Sequence, residues 1–340
     1  MSEQRQRAGD ASTNVQVAGD LVLGLTEEQA LALFEKNFVA MQGQAMDTVR
    51  ARVEEMMSEF LSELQARQPE RLGVAVDPDV QMALYNAQRG YACSGEEDLR
   101  KALLDMLVDR TGAKTGQLEA IVLNEAIVTA PKLTADQRRA VAACFITRYT
   151  RWLGPPNLDA FYEMHVRPQI APLAGGLPRH QSAYQHIGYV GAGDTGIGSI
   201  DLFNAIFAGG WGTAGFSPEE VPEVCRDLIG DPDIFIPSIR DPDRLQVAAM
   251  HEDDLGSLVA GLTDEQAGAI RGLFASSGRM SVEQLEDEAL ARVPELRELV
   301  ETWRQSMLKS LTLTSVGLAI GHGYWARLTG ATAPLSIWLT

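Results

Sequence analysis

Apolar residues recur at steps of three and four from Phe34 to Leu64, passing through Phe38, Met41, Ala45, Val49, Val53, Met56 and Phe60. A helix is what lines such a series up on one face. Thr26-Glu-Glu-Gln29, just ahead of it, is a capping box: the hydroxyl and the side-chain amide each satisfy a backbone N–H that a helix start leaves open. Unbroken, some 40 residues at 1.5 Å each would reach about 60 Å, more than an ordinary globular helix. Gly43 therefore predicts a bend or break between two helices. A stripe this long suits a helical hairpin or a coil between subunits as well as an internal core.

More helices follow. Asp77-Pro78 opens one, with aspartate as cap and proline in the first turn. Segments 96–109, 117–129 and 135–152 read as three others, and the capping signature returns as Thr134-Ala-Asp-Gln137 and Thr263-Asp-Glu-Gln266. Helices are expected again from Ser217-Pro218, around the Asp-Pro-Asp turns 231–233 and 241–243, over 267–274 and 282–291, and from Pro294 to about Leu328. Gly317 and Gly321 are four apart, so on a helix they would let a neighbour come close.

The two ends of the chain differ from this. Ala8-Gly9-Asp10 recurs as Ala18-Gly19-Asp20, and Val15, Val17, Leu21 and Leu23 share one parity, the alternation of a strand with one buried face. Two short strands are not stable alone; they need the body of the protein or copies of themselves. Residues 334–340 read as a short terminal strand. The expected fold is mainly α and multi-helical, with a short N-terminal β tail or hairpin and a C-terminal strand. Residues 175–215 hold 11 of the 31 glycines. The expected organisation is a β-repeat leader over 1–24 and a helical domain over 25–154. A Gly/Pro-rich connecting region over 155–216 and an acidic helical domain over 217–340 complete it.

Charge narrows the function. Acids outnumber bases 46 to 29, and residues 217–300 alone carry 19 acids against seven arginines and no lysine. That balance opposes a grip on nucleic acid or on anionic lipid, and it reads as solvated helix faces. Cys93, Cys144 and Cys225 form no disulfide framework, and the first residues lack the apolar core of a secretory signal, so a reducing cytoplasm is expected.

Few constellations could carry chemistry. Gly191-Ala-Gly193-Asp-Thr-Gly196 fits a dinucleotide fingerprint, but no second strand follows; it reads as a glycine-rich connector. Arg244 and His251, on an expected helix, resemble the arginine–histidine pair of helical ribonucleases, though Leu245 stands where a polar residue belongs. His322, in Ile-Gly-His-Gly-Tyr-Trp, sits among apolar residues that would depress its pKa, as in a core histidine. No metal-ligand spacing, nucleophile elbow or cofactor motif is present.

Several stretches are similar to an uncharacterised bacterial family known by locus-tag names. They are Ala8–Gln16 with Ala18-Gly-Asp20, Leu103–Thr111, Ile121–Ile127 running into Ala130–Thr134, Arg148-Tyr-Thr150, Thr314–His322 and Leu335-Ser-Ile-Trp338. The resemblance implies one full-length architecture in a bacterial cytoplasm and supplies no catalytic residues. Leaders like this one precede other bacterial proteins, some in defence contexts. The expectation is a non-enzymatic, self-assembling scaffold or sensor whose partner is a second copy of itself, without cofactor, metal, nucleic acid or membrane. Val15, Val17, Leu21, Leu23, Phe34 and Phe38 are its expected assembly residues. The alternatives are a helical nuclease or hydrolase using Arg244 and His251, or small-ligand binding by residues 175–215.

Overall fold

A computed structural model describes residues 27–151, 157–196, 198–208, 211–249, 252–276, 280–330 and 333–339. The expected β leader, with Val15, Val17, Leu21 and Leu23, lies outside the described residues, as does the Thr26 cap. Among the described residues the fold is mainly helical, and no helix there is long and apolar enough to cross a membrane.

Helix α1 runs unbroken over Glu27–Arg67. The break expected at Gly43 does not occur: a single glycine costs a helix about 1 kcal/mol relative to alanine, and the good helix formers around it absorb that. The chain divides into two units, residues 1–51 and 52–340. In the first, residues 41–48 are all exposed and Met41 keeps 66% of its surface. In the second, Met56, Phe60 and Leu64 have none exposed. Among the described side chains, the stripe of the sequence thus reaches a core over its last turns.

The second unit gathers α3 (Glu97–Gly112), α4 (Leu118–Thr129) and α5 (Ala135–Arg148) around α13 (Ser315–Thr329), with α2 (Pro78–Ser94) packed on α3 and α4. The expected caps are in place. Asp77 accepts from the Asp79 N–H at 2.8 Å, and the Thr134 N–H donates to Gln137 at 2.9 Å. The pair Thr263–Gln266 closes the same way at the start of α10 (Asp264–Ser276).

Gly317 and Gly321 let α13 sit deep in this bundle. A Cβ on Gly317 would overlap the carbonyl oxygen of Ala192, and one on Gly321 would lie 2.7 Å from Phe145 Cβ. The start of α13 rests on strand β1 (Gly193–Thr195), which pairs antiparallel with β4 (Leu311–Leu313). The expected single helix from Pro294 is therefore interrupted. It ends as α12 (Arg297–Gln305), gives way to β4, and restarts at the Thr314 cap. Leu311-Thr-Leu-Thr314, alternating and β-branched, explains the strand.

Residues 158–206 enter the same core through α6 (Leu158–Phe161), a π-helix over Tyr162–Ile170, α7 (Gln181–Tyr189) and α8 (Leu202–Ile206). The glycine fingerprint therefore follows a helix, not the strand that a dinucleotide site needs. Residues 216–274 form a second, smaller apolar cluster around Phe216, Phe235, Val247 and Ile270. Helices expected around the Asp-Pro-Asp turns are replaced by short 3-10 turns and a hairpin, β2 (Phe235–Pro237) with β3 (Leu245–Val247). Prolines 218, 222, 232, 237 and 242 recur too often for an α-helix to propagate. Helices α9 (Leu255–Leu258) and α10 belong to this lobe, and α11 (Val282–Arg292) returns to the main core.

The terminal strand expected over 334–340 is a 3-10 turn, Leu335–Trp338, in the described part of that segment. Trp338 donates to the Tyr149 carbonyl at 2.6 Å and packs against Phe145, so tertiary anchoring of one ring sets the conformation.

Candidate functional site

The residues singled out in the sequence do not converge. Arg244 precedes β3 on a hairpin, where a helix was expected, and its guanidinium donates to the Gly215 carbonyl (2.9 Å) and to Glu220 (3.1 Å). His251 lies outside the described residues. His322 is held in the core by its ring nitrogen, 2.7 Å from the Ala333 carbonyl, and by the rings of Phe145, Trp325 and Trp338. Burial keeps its pKa below the ordinary histidine value. Phe34 and Phe38 lie on α1, with side chains outside the description.

A polar cluster that the sequence did not reveal surrounds the π-helix. Pro168 has no N–H to offer the Met164 carbonyl four residues back, so an α-helix would lose a bond there. The chain widens to the π register, with the Ala171 N–H reaching the Val166 carbonyl, and the Gln169 side chain donates to Met164 at 3.1 Å. The other end of Gln169 accepts from Trp325 at 3.2 Å. The widened turn aims Tyr162 at Glu288 (2.9 Å), which also binds Arg240 from the end of the β2–β3 hairpin. Arg292 lies 4.9 Å over the Tyr162 ring and donates to Asp159 at 2.6 Å. Burial pushes His165 down to about 4 and holds the Tyr162 phenol far above its usual range. A neutral imidazole, a protonated phenol and arginines bound to acids and carbonyls make a joint between the smaller lobe and the main core. Arg167-Pro168 inside a helical stretch was the one signal of it in the sequence.

A second polar set binds the C-terminal half of α1 to α3. Arg67 bridges Glu63 and Asp105, each at 2.8 Å, and Arg100 holds Glu59 and Glu97 beside a cleft of about 250 Å³. Deeper in, Arg110 is fully buried. It donates to Asp79, to Asn124 (2.9 Å) and to the Ala113 carbonyl (2.9 Å), and Asn124 donates to Asp79 at 3.0 Å. Leu103–Thr111 and Ile121–Ile127, two of the stretches that carry the resemblance, thus supply Arg110 and Asn124 to one network.

Asp109 is the strained member of this region. Burial, with Asp105 and Glu119 nearby, raises its pKa to about 6 against the pull of Arg67 and Arg71. An acid raised in the folded state disfavours folding once it ionises, so stability should rise as pH falls from 7 toward 5. Asp109→Asn should stabilise the protein by about 1–3 kcal/mol at pH 7.5, since one pKa unit is worth about 1.4 kcal/mol. Urea unfolding at pH 7.5 and 5 checks it; an unchanged midpoint at pH 7.5 contradicts it.

Two apolar surfaces remain open. One is the exposed run of α1 with Met41 and Met46. The other lies on α2 and α4, where Met82, Tyr85, Leu118 and Ile121 each keep more than half of their surface. Between Arg89, Cys93, Val128 and Lys132 lies a cleft of about 410 Å³. Scattered apolar residues are ordinary on a surface; contiguous ones mark contact sites.

Neither the curated proteins nor the solved structures provide a match to this sequence. A family model matches residues 24–339, nearly the whole chain, and the protein belongs to that uncharacterised, locus-tag-named family.

Proposed function

We propose that this protein is a self-assembling scaffold or sensor that works by binding further copies of itself. One observation carries the reading. The apolar stripe of α1 is buried at Met56, Phe60 and Leu64 and exposed from Met41 to Ala45, with the same residue chemistry on both stretches. Half of a continuous apolar face has found its partner inside the chain; a partner of the same chemistry would cover the rest. The polar clusters support this indirectly, because their arginines are engaged in holding elements together. A bacterial cytoplasmic setting, with a role in defence, is the context the resemblance of the leader suggests.

Light scattering on the full-length protein tests the proposal, with a reductant present because exposed Cys93 could otherwise link copies. The expected mass exceeds one subunit at micromolar concentration. Met41→Glu should weaken association about 10- to 100-fold, the worth of burying one such side chain. A wild-type protein that stays monomeric refutes the reading.

A further inference from the structure

We infer that the cleft between α2 and the 3-10 turn Ala130–Lys132 binds a small organic phosphate; this does not depend on the self-assembly proposed above. Its volume of about 410 Å³ falls in the range of small-molecule sites. Asn86, Arg89 and Cys93 stand at steps of three and four along α2, so one helix face makes the first wall. Val128 near the end of α4 and Lys132 just past it make the second. The walls meet where Gly90 has no side chain, since a Cβ there would overlap Pro131 Cγ. That contact brings its chain neighbours, Arg89 and Lys132, to one cleft.

The polar groups that converge there are unengaged. Among the described residues, the side chains of Asn86, Arg89, Cys93 and Lys132 make no hydrogen bond or ion pair. By contrast, Arg67, Arg110, Arg138 and Arg240 are all held by acids or carbonyls. Nor do the two cations serve the helix ends. At the end of α2 the Tyr91 carbonyl accepts from the Gly95 N–H and the Ala92 carbonyl from Arg52, each at 2.8 Å. At the end of α4 the Ala126 carbonyl accepts from the Ala130 N–H. No acid is among the described residues that line the cleft. In a chain with 46 acids and 29 bases, two unpaired cations facing one cavity call for an anion from outside. Arg89 offers a planar fork and Lys132 a point charge, two forms in which proteins hold phosphate oxygens. Both flank a single contact, which suits an anion with its two charges on one group. Val128 and Pro131 give its organic part an apolar wall.

Cys93 reports on this cleft in the full-length protein, because it is exposed there while Cys144 and Cys225 are buried. Its alkylation by iodoacetamide is followed by intact mass at constant ionic strength, with inorganic phosphate, phenyl phosphate or succinate added. Phenyl phosphate should slow the reaction about tenfold at saturation, and at about a tenth of the concentration that inorganic phosphate needs, because its ring gains apolar contact. The double variant Arg89→Gln, Lys132→Gln should be alkylated at one rate with and without phenyl phosphate. Both side chains are exposed and hold nothing else, so the fold does not need them; the wild-type comparisons decide the matter in any case. An unreactive Cys93, a rate unchanged by phenyl phosphate or slowed no better than by inorganic phosphate, or stronger protection by succinate would each overturn the proposal. So would protection that survives in the double variant.

Discussion

Gly317→Ala should be the most damaging single-methyl change in this protein, costing about 3 kcal/mol or more, the upper range for overpacking a filled site. The new Cβ would meet a backbone oxygen, that of Ala192, which has little freedom to move. That carbonyl accepts from the Thr314 N–H at 3.3 Å, while the Thr314 hydroxyl donates to the Gly191 carbonyl at 2.6 Å. Pushing Ala192 away therefore strains the seat of α13 on β1 and disturbs the cap of the central helix at once. Gly323→Ala is the control: on the same helix, its Cβ would find Met106 at 3.4 Å, at the edge of ordinary contact. Thermal unfolding should show a large drop for the first variant and little or none for the second. Equal melting temperatures would refute the account.

Arg110→Met comes next, at about 3 kcal/mol, the low end of the loss on breaking a buried pair. The low end applies because Asp79 keeps 37% of its side chain in water, so its stranded charge is partly solvated. Its hydrogen bond from Arg110 holds the Asp79 carboxyl below the usual carboxylate range, against the effect of burial and with help from Asn124. A lowered pKa stabilises the fold above the ordinary carboxylate value and loses that contribution as pH falls through the native one. Arg110→Met should therefore also weaken the acid dependence of stability. Adding Asp79→Leu should recover part of the loss, because no uncompensated carboxylate remains. Urea midpoints of the single and double variants measure this; a double variant as unstable as the sum of its parts would show that the charge is irrelevant.

These networks also show which parts of the molecule its sequence could disclose. Caps at Asp77, Thr134 and Thr263 were legible because donor and acceptor lie two or three residues apart, so the pattern contains the whole interaction. The close approach at Gly317 and Gly321 was legible for a similar reason: helical spacing alone puts both on one face. Arg110, Asp79 and Asn124 lie 14 to 45 residues apart, and Arg240 reaches Glu288 across 48. No local pattern marks such partners. The terminal turn at Leu335–Trp338 had the composition of a strand, and the pull of Trp338 toward Tyr149 overrode it. Gly43 failed as a breaker because a lone glycine is a modest penalty inside 41 helical residues. Arg244 was misplaced because the Asp-Pro-Asp turns were read as helix surroundings, whereas five prolines spread over 25 positions leave an α-helix no room to propagate.

The repair at Pro168 ties that residue to its neighbour. Gln169 serves two partners, the Met164 carbonyl and the Trp325 indole, and the first of these matters most while a proline follows Arg167. Were Pro168 replaced first, its new N–H could serve Met164, and Gln169 would be left with one obligation. Losing the glutamine first removes the partner of the Met164 carbonyl and of the buried Trp325 indole in a single step. Proline and glutamine are thus coupled through one carbonyl, and the cost of losing Gln169 depends on whether Pro168 stands beside it.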